Sequence, residues 1–139
     1  MGVLIHAEDI ELALKNHLER NGYIVKLKAP INGQTGVDMF ASKERERLYI
    51  ETISFKPSPP ERSRQFYECF FRAISRLRFG ATKCVMALPH RFGKGLKQRA
   101  SNYGASWSRL GAAFPELEIW LVDPQTEGVS RTAWNDWLR

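Results

Sequence analysis

Two acids stand in stretches that otherwise hold strand-forming residues. Asp38 lies in Gly36-Val37-Asp38-Met39-Phe40-Ala41, and Glu51 in Leu48-Tyr49-Ile50-Glu51-Thr52-Ile53. β-Branched, aromatic and large apolar neighbours predict a buried strand around each acid. The charged run Ser42-Lys43-Glu44-Arg45-Glu46-Arg47 between them reads as a hairpin connection. A buried carboxylate is costly unless it is paired, hydrogen-bonded or metal-bound. Two carboxylates on adjoining antiparallel strands are a means of holding a hard divalent cation such as Mg²⁺.

A helix expected over Ala7–Asn21 offers a third acid. Ile10, Ala13, Leu14, His17 and Leu18 recur at helical spacing, and Gly22 is its stop. Taking Ile10 as origin, Glu11 falls about 100° round the helix, at the border of the apolar stripe, while Glu8 and Glu19 fall towards water. Glu11 is therefore the helical acid best placed to approach Asp38 and Glu51.

The elements that must position these groups follow in order. A strand is expected over Tyr23–Ala29, then a loop over Pro30–Gly36, then the two acid-bearing strands. Lys56-Pro57-Ser58-Pro59-Pro60 breaks the chain before a second helix at Glu61–Phe79, with Phe66, Phe70, Ala73, Ile74 and Leu77 inward. A fourth strand is expected over Thr82–Leu88, a third helix over Lys94–Leu110, a fifth strand over Leu117–Val122 and a short closing helix over Thr132–Leu138. Tyr103 and Trp107 read as core. Trp134 and Trp137 read as closing the core or an oligomer contact. The order α-β-β-β-α-β-α-β-α predicts a mixed sheet flanked by helices, in one domain over residues 1–139.

The chain has 139 residues and a net charge of +6, with 43% hydrophobic residues. That suits a single packed core. No apolar run is long enough for a membrane helix, and no signal peptide is evident, so a cytoplasmic protein is expected. Cys69 and Cys84 read as core thiols without zinc-ligand spacing. The charge is uneven: Arg62–Arg109 holds 11 Lys/Arg and one acid, Glu68. Such asymmetry points to a polyanion, most commonly nucleic acid. Arg91-Phe92-Gly93-Lys94-Gly95 lacks the spacing of a nucleotide-binding P-loop, which excludes that chemistry. Backbone amides at the start of the third helix remain suited to a backbone phosphate.

Glu11, Gly22-Tyr23-Ile24-Val25, Gly36-Val37-Asp38 and Ile50-Glu51, taken in this element order, resemble the PD-(D/E)XK nuclease superfamily. The pattern is most similar to that of archaeal Holliday-junction resolvases and other restriction-endonuclease-like proteins, and it covers roughly residues 7 to 90. The resemblance implies a restriction-endonuclease-like fold and a Mg²⁺- or Mn²⁺-dependent endonuclease. Asp38 and Glu51 would be the metal ligands, Glu11 an auxiliary acid, and Gln65 a counterpart of the Gln that some members carry at the start of this helix.

Two positions depart from the pattern, the first being Val37 where the Asp motif has its Pro, a change that many members tolerate. The motif Lys, two residues after the strand Glu, is Ile53 here. Lys56 does not replace it by sliding, because it projects from the opposite face and lies about 16 Å beyond Glu51 along an extended strand. Candidate cations elsewhere are Lys26 and Lys28 on the first strand and Arg62, Arg72 and Arg76 on the second helix. With Arg91, Lys94 and Lys97, they are also the expected nucleic-acid contacts. Two readings stay open. One is an active nuclease with a relocated cation, acting on DNA rather than RNA, with a homodimer as its expected assembly. The other is a catalytically degenerate relative that binds nucleic acid or serves as an assembly module.

Overall fold

A six-stranded sheet in the order β1-β2-β3-β4-β5-β6 forms the centre of the molecule. The structure is a computed structural model that describes residues 4–31 and 34–139, with side chains outside 29–35. The strands are β1 (Ile24–Ile31), β2 (Gln34–Lys43), β3 (Glu46–Thr52), β4 (Lys83–Pro89), β5 (Leu117–Val122) and β6 (Val129–Ala133). The first three form an antiparallel meander, β3-β4-β5 are parallel, and β6 returns antiparallel to β5. The helices are α1 (Ala7–Arg20), α2 (Pro59–Ser75), α3 (Gly93–Tyr103) and α4 (Ala105–Ala113). This mixed sheet with helices on both faces is the restriction-endonuclease-like architecture that the sequence pattern implies.

Side-chain alternation divides the core into two layers. On β4, Val85 and Ala87 face α1, together with Leu48 and Ile50 of β3 and Trp120 and Val122 of β5. Cys84, Met86 and Leu88 face the other way, against Phe66 and Phe70 of α2 and Leu96 of α3. Because the parallel strands are covered on both faces, they read as nearly continuous apolar runs. Both cysteines are buried and free, and burial raises the pKa of each thiol.

Three elements differ from expectation. The third helix is two helices, because Gly104 adopts φ 50° and ψ −114°, a conformation that suits glycine. The residue before the break, Tyr103, is half exposed rather than core. The closing helix is strand β6 followed by a 3₁₀ turn over Trp134–Leu138. β6 is a short edge strand without strong apolar alternation, so its pairing with β5, rather than its own pattern, makes it a strand. The loop expected over 30–36 is largely strand, and its centre, Asn32-Gly33, lies outside the described residues.

Two tryptophans lock the last segment onto α4. The Trp107 and Trp134 rings stack with centroids 3.8 Å apart. Each indole N–H donates to the other residue's carbonyl, at 2.9 and 2.8 Å. Trp134 thus closes the core, as expected.

Candidate functional site

The register of β2 and β3 places the first two acids opposite one another. Met39 pairs with Ile50, and one step further along the ladder brings Asp38 to Glu51. Met39 and Ile50 point to the α1 layer, so the two carboxylates share the α2 side of the sheet. Like charges directly opposed across a sheet repel, so such a pair requires compensation.

Glu51 is 1% exposed and takes two guanidinium groups from α2 and its end. Arg76 Nε donates to Oε2 at 2.8 Å, and Arg72 Nε lies 3.4 Å from Oε1. Arg76 is itself buried, whereas the Arg72 side chain is 43% exposed. Arg72 also reaches the Thr52 carbonyl at 3.4 Å. Its guanidinium therefore spans two oxygens at the end of β3. Despite both arginines, the Glu51 carboxyl is pushed up to about 7. Removal from water is the largest cause and the Asp38 charge the second, and together they outweigh the guanidinium groups.

Thr52 ties the other two acids together. Its backbone N–H donates to Asp38 Oδ2 at 2.9 Å. Its hydroxyl donates to Glu11 Oε2 at 2.8 Å and lies 3.4 Å from the same Asp38 oxygen. Glu11 is buried, as its place beside the apolar stripe predicts. Its other oxygen lies 3.4 Å from Lys28 Nζ. Lys28 adopts φ 50°, uncommon for a non-glycine residue, just before the register of β1 and β2 shifts. The pairing places Lys28 opposite Asp38, between Leu27↔Met39 and Ala29↔Val37. Three acids and three cations from α1, β1, β2, β3 and the α2 segment thus converge at one end of the sheet.

Ile53 takes no part in this cluster; it is buried in the layer beneath α2. The positive charge beside Glu51 comes instead from Arg72 and Arg76, two of the candidate cations named for the second helix. Gln65 lies about two turns before Arg72 on α2 and accepts from the Ser54 hydroxyl at 3.2 Å, so it faces the residues that follow β3. Thr52 is the member that sequence alone does not mark. Its one signal is a hydroxyl residue set between the acid and the departed Lys position.

The remaining cations are distributed differently. Lys26 is exposed on β1. Arg62 donates to the Lys56 and Pro57 carbonyls, at 2.8 and 3.0 Å, and covers the Phe55 ring. Arg62, Arg91, Lys94 and Arg99 line a cleft of about 300 Å³ between the starts of α2 and α3. Lys97 lines an adjoining cleft with Lys94 and Arg139. The first cleft includes Phe55, four residues beyond Glu51, and Arg91, just past the end of β4. It therefore opens at the carboxyl ends of parallel strands, a place where α/β sheets bind ligands.

The donor set can be tested against a divalent cation. Among the described residues, no group of three His, Cys, Asp or Glu side chains is arranged to hold a metal. Asp38, Glu51 and the Thr52 carbonyl are oxygen donors only. Two carboxylates, completed by water and substrate phosphate, are a common protein contribution to a Mg²⁺ site. Two of these oxygens are the pair that the partly exposed Arg72 side chain spans, and their donor chemistry is that of a hard-cation site.

No family model matches the chain, and no curated protein sequence matches it. Two solved structures are similar in fold. An XisH family protein from Nostoc punctiforme superposes with TM-score 0.59 at 16% identity, over 90% of this chain and 98% of that one. An fdxN element excision controlling factor protein from Anabaena variabilis superposes with TM-score 0.55 at 12% identity, over 91% and 98%. At these identities the likeness is one of fold. Among the described residues, no helix is long and apolar enough to cross a membrane.

Proposed function

We propose that this domain is a Mg²⁺-dependent phosphodiesterase acting on DNA, with Asp38 and Glu51 as the metal-holding acids. The observation that carries this reading is the placement of Arg72 against Glu51 Oε1 and the Thr52 carbonyl. It supplies a cation at the acid pair from the helix, where the strand offers Ile53. The bound metal would supply charge neutralisation at phosphorus and a water of lowered pKa.

The chain's own residues carry the rest. Asp38 is oriented by the Thr52 N–H, and Glu11 is held beside it through the Thr52 hydroxyl. Arg72, long and partly exposed, moves off Glu51 to meet the negative charge that grows on the phosphoryl oxygens. Arg76 stays buried and fixes the Glu51 carboxylate. Arg62, Arg91, Lys94 and Lys97 hold the strand by its phosphates and make binding salt-dependent without specifying sequence. DNA is the polymer taken in this reading; one structural neighbour is named as an fdxN element excision controlling factor protein.

A second reading rests on Arg76. A buried guanidinium at 2.8 Å from Glu51 neutralises that carboxylate without any metal. With Ile53 at the Lys position, it favours a nuclease-fold module that binds DNA and does not cut it. Incubating supercoiled DNA with the wild type and Asp38→Asn, with Mg²⁺, Mn²⁺ or EDTA, separates the two. Metal-dependent nicking lost in Asp38→Asn supports the enzyme. Retained binding with no cleavage in any metal supports the module.

A further inference from the structure

An apolar hollow lies away from the acid cluster, between α2 and α4. It encloses about 370 Å³, with Phe66, Trp107 and Trp134 among its inner residues. Phe71 (67% exposed), Tyr103 (48%) and Tyr67 (38%) stand at its mouth. Exposed aromatics around an apolar hollow need an occupant of known chemistry.

Its surroundings select one. Tyr67 and Tyr103, whose hydroxyls are 2.5 Å apart, also line a smaller cleft with Gln98, Arg99 and Asn102. That cleft shares Gly95 and Arg99 with the basic cleft of Arg62, Arg91 and Lys94. The hollow, the amide-bearing step and the basic cleft are therefore continuous. No acid lines any of the three among the described residues. A basic track beside stacking rings is the physical form of a single-strand binding surface. A purely apolar protein partner would have no use for the cations that extend from it.

The geometry points to a nucleobase site: the aromatic hollow takes an unpaired base of a DNA strand whose phosphates run along Arg62, Arg91 and Lys94. The base stacks on Phe71 and Tyr103, beside the cleft lined by the Gln98 and Asn102 amides, which hydrogen-bond each other at 2.8 Å. This deepens the DNA reading and is independent of cleavage, because neither the acids nor a metal takes part.

The test is fluorescence anisotropy in EDTA with two labelled probes. One is a short oligothymidylate; the other is a sugar-phosphate strand of equal length with abasic residues. Phe71→Ala and Tyr103→Ala are exposed truncations that leave the core intact. Each is expected to weaken oligothymidylate binding about 5- to 100-fold, the worth of one stacked base. Binding of the abasic strand stays unchanged, and Phe71→Trp restores affinity where Phe71→Leu does not. Arg91→Ala with Lys94→Ala weakens both probes and lowers the salt dependence. Equal loss on both probes in Phe71→Ala, or wild-type affinity in Phe71→Leu, overturns the base site. So does a wild-type dimer that Phe71→Ala converts to monomer without loss of oligothymidylate binding, since the hollow is then a contact between copies. If oligothymidylate binds as described while no DNA is cut, the catalytic reading alone falls.

Discussion

Replacing Glu51 by Gln should make the protein's stability less dependent on pH, in a direction opposite to that of an ordinary paired carboxylate. Glu51 is buried and opposed by Asp38, and its pKa is raised from 4.5 to about 7. The fold therefore prefers its protonated form. That preference stabilises fully below about pH 4.5 and is lost as pH rises through about 7. Between about pH 5 and pH 8 the shift corresponds to a few kcal/mol, or on the order of 10 °C in Tm for a domain of this size. A Gln side chain mimics the protonated acid and still accepts from Arg76, whose charge is constant over this range. The cost of a neutral partner for Arg76 is then the same at both pH values and cancels. Urea denaturation of wild type and Glu51→Gln at each pH supplies the four stabilities. The wild type should lose a few kcal/mol more than the variant on going from pH 5 to pH 8. Equal losses would show that Arg72 and Arg76 offset desolvation completely. A wild type that gains relative to Glu51→Gln as pH rises would refute the raised pKa outright.

Other substitutions separate the parts of the fold. Arg76→Ala leaves a buried carboxylate without its nearest cation and should cost about 3 kcal/mol at pH 8 by denaturation, less at pH 5 where Glu51 is protonated. Arg72→Ala removes a partly exposed partner, so stability should fall by under about 1 kcal/mol while any metal-dependent cleavage is lost. Trp134→Ala empties a buried site and leaves the Trp107 carbonyl without the Trp134 indole N–H, which should cost about 3–5 kcal/mol and release the C-terminal segment to proteolysis.

Much of the fold is written in residue periodicity. The α1 stripe, the apolar runs of β4 and β5 and the inward face of α2 each follow from one spacing rule. What escaped is where long-range contact or a single backbone angle decides. β6 exists because β5 offers it an edge, and α3 ends because Gly104 turns the chain. At the site, the approach of Glu11 was legible from its angle on the helix, and the opposition of Asp38 and Glu51 from alternation. Thr52 was not, because a threonine in a strand is ordinary and its role depends on Glu11 arriving from another layer. The pairing of Arg76 with Glu51 was equally hidden, since it requires knowing how α2 lies on β3.

The Asp38–Glu51 centre is tested most directly by the conversion of supercoiled plasmid to nicked circles in the presence of Mn²⁺ or Mg²⁺. Nicking that requires the metal, is abolished by EDTA and falls at least about 100-fold in Asp38→Asn, with DNA binding retained, is the predicted result. Wild-type protein that binds the plasmid and leaves it supercoiled in both metals would contradict it.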